Sequence, residues 1–278
     1  MSIEHEEMAV PLVDAHAHVF KRDMPLRDNP RHAPDYDFTL EDFIGVLDAH
    51  GVGQAVLAAA SPWLDYNDYV IDCVRHSPRL RGTVILEPSV ERIVMQDMDR
   101  AGIVGVRMHL IGLDRLPDLS TFEYRRTFRR IADLDWHIHL HADGKDLVDL
   151  LPVFEACGAK LVVDHLGRPT PEDGVDCAGF KAMMRSIEKG RTWVKASGPH
   201  RLGFKESAGY LKELLRQTGD TRIVWGSDCP FVGTEGTRYQ ETIDWFQDAV
   251  PDLAAQHRIG GLNALELYFG ASKVSVVA

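Results

Sequence analysis

Residues 39–60 read Thr-Leu-Glu-Asp-Phe-Ile-Gly-Val-Leu-Asp-Ala-His-Gly-Val-Gly-Gln-Ala-Val-Leu-Ala-Ala-Ala. The first half is a segment of helical period with its punctuation in place: Thr39 can cap it, Asp42 stands at the capping-box position, and Gly51 supplies the stop. The second half, 54–60, is a short apolar run of strand length. This unit recurs along the chain. Strands are expected at 12–19, 54–60, 82–88, 104–110, 137–142, 161–167, 192–198 and 223–230. Helices are expected at 40–50, 66–76, 90–101, 125–134, 145–156, 180–189, 210–218 and 240–249. Strict alternation requires parallel strands joined by crossover helices. The repeat of the unit favours an α/β fold closed as a single (β/α)8 TIM barrel over an open doubly wound sheet. No Pro/Ser-rich linker divides the chain, so residues 1–278 are expected to form one domain. Residues 252–278 read as one more helix closing the barrel, and the long charged loop 20–38 is placed to serve a site.

Composition narrows the class. The chain has 278 residues, 45% hydrophobic and 26% charged, which suits a globular domain and excludes a disordered chain or a collagen. The longest apolar run, 55–60, is far short of the roughly 20 residues a bilayer span requires. A formal charge of −11 disfavours nucleic acid and anionic membrane surfaces as partners. Cys73, Cys157, Cys177 and Cys229 form no Cys-x-x-Cys pair, which suggests free thiols and a cytoplasmic protein. The first ten residues carry Glu4, Glu6 and Glu7 and no basic region, so no secretory signal is expected there.

In such a barrel, functional side chains sit at the C-terminal ends of the strands. The first strand contains Asp14-Ala15-His16-Ala17-His18, and period two is expected to turn Asp14, His16 and His18 to one side. Two imidazoles in a barrel interior are costly unless something binds them, and alternate nitrogens can converge on one metal ion at about 2.0–2.1 Å. The alternative is that they are satisfied core or surface histidines. In the fifth strand, His137, His139 and His141 share a face. His141 lies nearest the C-terminal end and is the candidate, while His139 could be either a layer residue or a contributor. The sixth strand is apolar until it presents His165, followed by Gly167-Arg168-Pro169. The eighth ends in Ser227-Asp228-Cys229-Pro230, where Asp228 can bind a metal, take a proton from water, or cap the next segment. Cys229 is expected to pack.

These residues and the motifs around them resemble the amidohydrolase superfamily, in its amidohydrolase-2 branch, and within it the 2-pyrone-4,6-dicarboxylate lactonase-like and sugar-acid lactonase hydrolases. The resemblance rests on Val13-Asp14-Ala15-His16-Ala17-His18-Val19-Phe20, Gly105-Val106-Arg107, Leu140-His141, Val163-Asp164-His165-Leu166-Gly167-Arg168-Pro169, Val194-Lys195-Ala196-Ser197-Gly198 and Trp225-Gly226-Ser227-Asp228-Cys229-Pro230. Asn263-Ala264 with Leu267-Tyr268 extends it toward Gly270. It implies catalytic roles for Asp228, His165 and His141, with Asp228 activating water and later protonating the leaving oxygen. It also implies one divalent metal ion, zinc in many members, held by His16, His18, His165 and Asp228; some lactone-hydrolysing members require no metal. The fifth strand lacks the lysine that bridges two metals in other branches.

Arginines bear on the substrate. Arg107, Arg168 and Arg201 stand near strand ends, and guanidinium groups make planar bidentate contacts to carboxylates, so a small anionic substrate is expected in spite of the global charge. Ser61 is a further substrate-binding candidate, with Trp63 and His32 beside it. Arg125, Arg126, Arg129 and Arg130 read as a solvated helix face. The resulting expectation is a hydrolase that opens a carboxylate-bearing lactone by water attack, with Asp228 as general base. The alternatives are a metal-dependent non-oxidative decarboxylase of the same branch and a non-catalytic binding protein. The oligomeric state, a homo-oligomer included, is left open.

Overall fold

The structure is a computed structural model that describes residues 12–113 and 115–270; the expectations for the first ten residues and for the end of the tail fall outside that range. Among the described residues, eight strands form one parallel sheet in chain order. They are β1 (Leu12–Ala17), β2 (Val52–Leu57), β3 (Leu80–Val84), β4 (Ile103–His109), β5 (His137–His141), β6 (Lys160–Val163), β7 (Thr192–Ala196) and β8 (Ile223–Trp225). The sheet curls until β8 meets β1. Among the described residues that seam carries a single bridge, Ala17 to Cys229, with the His18 N–H donating to the Cys229 carbonyl and the Asp228 N–H to the His16 carbonyl, both at 2.8 Å.

The crossover helices are α1 (Leu40–Ala49), α2 (Asp68–His76), α3 (Arg92–Ala101), α4 (Phe122–Asp133), α5 (Leu147–Ala156) and α6 (Ala178–Glu188). A short α7 (Pro199–Leu202) is followed by α8 (Phe204–Thr218), α9 (Tyr239–Ala249) and α10 (Leu253–His257). In α1 the Thr39–Asp42 capping box forms in both directions, and Phe43 and Leu47 bury the apolar face. Such a cap contributes about 1 kcal/mol. The helix expected from 210 begins six residues earlier, at Phe204. No helix among the described residues is long and apolar enough to cross a membrane.

The core has two shells. An outer one lies between strands and helices; an inner one fills the barrel with Val13, Ala15, Val56, Val162, Trp193 and Val224, and Ala264, Leu267, Tyr268 and Phe269 pack against it. The strands end earlier than expected: residues 164–167 and 226–230 leave the ladder. His165 (φ 47°), Leu166 (55°), Arg168 (47°) and Asp228 (68°) adopt left-handed backbone, which is costly for non-glycine residues and is concentrated here at the barrel mouth.

One expectation is corrected. Asp14, His16 and His18 do not share a face. Between Asp14 and Ala17 the register against β2 slips, three steps on β1 matching two from Ala55 to Leu57. This β-bulge breaks the alternation. Asp14 points outward to Tyr239 on α9, while His16 and His18 both turn to the interior.

Candidate active site

At the C-terminal mouth, His16 Nε2, His18 Nε2 and Asp228 Oδ1 form a triangle with sides of 3.3 Å (His16–His18), 3.3 Å (His18–Asp228) and 3.4 Å (His16–Asp228). All three side chains are buried. His18 Nδ1 donates to the Ala58 carbonyl at 2.7 Å, which leaves Nε2 as a lone pair. His16 Nδ1 lies 3.1 Å from Asp164 Oδ1 and 3.2 Å from Lys195 Nζ; with its proton directed to the carboxylate, its Nε2 is left in the same state. Two lone pairs and a carboxylate oxygen facing one another out of water repel unless a cation or proton joins them. Three corners of a tetrahedron with bonds of about 2.0–2.1 Å lie about 3.3–3.4 Å apart, so this triangle fits one divalent ion. His165 stands beside it, Nε2 4.0 Å from Asp228 Oδ2, with its Nδ1 2.9 Å from Ser197 Oγ.

Asp228 Oδ2 faces the other way, paired with Arg201 Nε and 3.2 Å from His200 Nε2. Burial alone would raise this carboxyl. The Arg201 guanidinium, first among its neighbours, outweighs it and holds it well below the usual carboxylate range, so Asp228 is anionic. Burial pushes the His165 imidazole down to about 3 against the pull of Asp228 and Asp164, which keeps it neutral.

Beneath the triangle lies a second buried layer. Asp164 Oδ1 is in contact with His139 Nε2 and His16 Nδ1 and lies 3.7 Å from Lys195 Nζ; its Oδ2 accepts from Arg107 Nη2 at 3.2 Å. Burial alone would raise Asp164, but His139, His16 and Lys195 hold it well below its ordinary value. Burial lowers Lys195 to about 8, against the attraction of Asp164.

Of the residues expected from sequence, His18, His141, His165, Asp228, Ser61, Arg107, Arg168 and Arg201 line one cavity, with His32 and Trp63, while His16 is fully buried behind His18 and Asp228. They differ in freedom. Arg107 is committed to the Ala59 carbonyl, Asp164 and His141 Nδ1, so only part of its guanidinium is available. Arg168 Nε lies 3.5 Å from Asp143. His141 Nε2 is buried without a partner, an acceptor or donor open to a ligand. Ser61 begins a short turn, Ser61–Trp63, in which Trp63 stacks on Phe20 at 5.0 Å. Cys229 packs in the core, as expected.

Asp164, Lys195 and His200 join the site although the sequence pattern assigns them no role, and Arg31 and His109 line the cavity without a sequence signal. A signal for Lys195 was available: a lysine inside the strand Thr192–Ala196, in a barrel whose interior is apolar, has to be paired.

The family model described as amidohydrolase (Amidohydro_2) matches residues 13–270. The chain belongs to this family. Among amidohydrolase relatives, it is 26% identical over 277 residues to a 2-pyrone-4,6-dicarboxylate hydrolase of Comamonas testosteroni, covering 92% of this chain and 90% of that one. It is 26% identical over 228 residues to a 4-sulfomuconolactone hydrolase of Hydrogenophaga intermedia, covering 79% and 75%. A solved structure of a candidate 2-pyrone-4,6-dicarboxylic acid hydrolase from Acinetobacter baumannii, with citric acid bound, superposes with a TM-score of 0.88 at 30% identity, covering 93% of this chain and 99% of that one.

Proposed function

We propose that this amidohydrolase opens a small carboxylate-bearing lactone by attack of water. The observation that carries the reading is the meeting of His16, His18 and Asp228 at 3.3–3.4 Å on the floor of a cavity walled by arginines. Relatives named as lactone hydrolases support it. His16, His18 and Asp228 would hold one divalent ion, with zinc the first choice for two imidazoles and a carboxylate, and His165 stands at its side. When bound, such an ion supplies positive charge that polarises a carbonyl.

The protein's own groups do the rest. Asp228, anionic and buried, takes a proton from the attacking water and returns it to the leaving alkoxide. His141 and His165, both kept neutral by burial, can orient the carbonyl oxygen and the water. Arg168 and Arg201 hold the substrate carboxylate so that the carbonyl faces the water, and Arg107 donates from behind. Opening the ring exposes a new carboxylic acid, which releases a proton at neutral pH. A cytosolic setting is proposed from the four free cysteines.

Titration at constant pH against a panel of carboxylated lactones tests this. Net acid release, abolished in Asp228→Asn and lowered by orders of magnitude in the double variant His16→Ala/His18→Ala with folding retained, is the expected result. Carbon dioxide release with proton uptake from dihydroxybenzoates, and none from lactones, would make the protein a decarboxylase. Double-variant activity within about twofold of the parent would remove the imidazole pair from the mechanism.

A further inference from the structure

Asp14 lies outside the barrel interior, yet it is fully buried and accepts four hydrogen bonds. Its Oδ1 accepts from the backbone N–H of His16 at 3.0 Å and of Ser227 at 2.9 Å. Its Oδ2 accepts from Ser227 Oγ at 2.6 Å and Tyr239 Oη at 2.9 Å. The two amides belong to the residue bearing the first imidazole of the triangle and to the residue just before Asp228. They also straddle the weakest seam of the sheet. Each consecutive strand pair from β1–β2 to β7–β8 has at least three registered partners, whereas β8 and β1 share one bridge. The β-bulge at Ala15–His16 creates this arrangement, because it turns His16 and His18 inward while Asp14, paired with Ala55 before it, stays outside with its carboxylate within reach of the amide two residues on.

We propose that Asp14 is a positioning residue: its Oδ1, by accepting from the amides of residues 16 and 227, sets the separation between the His16–His18 pair and Asp228. This rests on the metal-assisted reading above. A carboxylate oxygen shared by two amides fixes both strands to one point, and so reinforces the two backbone hydrogen bonds of the lone bridge, His18 N–H to Cys229 and Asp228 N–H to His16. Ligand distances to a metal tolerate deviations of only about 0.2 Å, so even a small slip along the seam would open the triangle. Tyr239 and the Ser227 hydroxyl hold the far oxygen and thereby orient the near one.

The test uses the metal-stripped full chain, with zinc affinity measured by chelator competition well below each variant's unfolding midpoint. Asp14→Asn keeps an oxygen for both amides, while its new NH2 can donate to the two hydroxyls, so its affinity should stay within about threefold of the parent. Asp14→Ala should bind zinc about tenfold or more weakly, the usual scale for losing a group that orients a ligand. Tyr239→Phe should stay within about twofold. An Asp14→Ala protein with parental affinity, or an Asp14→Asn protein as weak as Asp14→Ala, overturns the proposal. Should Asp14→Ala give no cooperative transition, Asp14→Asn decides with amide exchange. Protected amides at 16 and 227 with retained affinity support the role; protected amides with lost affinity defeat it. A parent protein that binds no zinc defeats the metal reading instead. The clasp is then read in turnover of a carboxylated lactone by Asp14→Ala, expected to show kcat down about tenfold with KM within about threefold; unchanged kcat overturns it.

Discussion

Replacing Asp164 by Asn is the most informative single change in this molecule. The carboxylate collects His16 Nδ1 at 3.1 Å, His139 Nε2, Lys195 Nζ at 3.7 Å and Arg107 Nη2 at 3.2 Å, all of them buried. Asn keeps one acceptor and turns the other oxygen into a donor. With its oxygen toward the imidazoles, the new NH2 faces Arg107; flipped, it faces His16, His139 and Lys195. Either way a buried cation loses its counter-charge, which costs about 3–5 kcal/mol. Lys195 softens this, because burial has already lowered it to about 8 and it can shed its proton once the carboxylate is gone. We therefore expect the lower end, about 3 kcal/mol, and at about 2–4 °C per kcal/mol for a chain of this size a fall in Tm of about 6–12 °C. The substitution also loosens the group that orients His16, so zinc affinity should fall about 10–100-fold. Calorimetry of the stripped protein reads the first number and chelator competition the second. The double variant Asp164→Asn/Lys195→Met should be more stable than Asp164→Asn alone, because removing the stranded cation relieves it. A Tm within about 2 °C of the parent with unchanged zinc affinity would show that the buried layer neither stabilises the barrel nor orients His16.

Other substitutions probe the site and the frame separately. At Gly226 an added Cβ would lie 2.8 Å from both Cβ and the backbone nitrogen of His16, so Gly226→Ala should cost about 1–3 kcal/mol and depress activity, as thermal unfolding and turnover would report. Gly45, inside α1 with nothing within 4 Å, is the opposite case, and Gly45→Ala should stabilise by about 0.5–1 kcal/mol in denaturant titrations. Arg168 lines the cavity without an interior partner beyond Asp143 at 3.5 Å. Arg168→Met should raise KM for a carboxylated lactone by about tenfold and leave a neutral analogue unchanged; equal effects on both would detach this arginine from the carboxylate. Ser61→Ala, at the cavity wall, should change KM by about twofold to fivefold with kcat held, in steady-state assays of the same lactone.

What could be read from the chain and what could not divide along a physical line. The barrel was legible because each βα unit carries its own local signals. The Thr39–Asp42 box, the Gly51 stop and the apolar run before Ser61 are all decided within a few residues of themselves. The site was legible where a polar side chain interrupts an apolar strand at its C-terminal end, as His165 and Asp228 do; those residues leave the ladder in left-handed backbone, and their aim into the mouth is a turn that no propensity foretells. Asp14 went astray because period two holds only while the ladder is regular. A bulge depends on how β1 registers against β2, a long-range property absent from the pentapeptide itself. The same holds for the buried layer. Asp164, Lys195 and Arg107 come from the end of β6, β7 and β4, and no one segment reveals that their charges cancel. Yet a lysine fully buried in a barrel interior is unstable alone, so its presence in the strand Thr192–Ala196 requires an anion across the barrel. Asp164 is that anion, and by holding His16 it ties the charge balance of the interior to the geometry of the mouth.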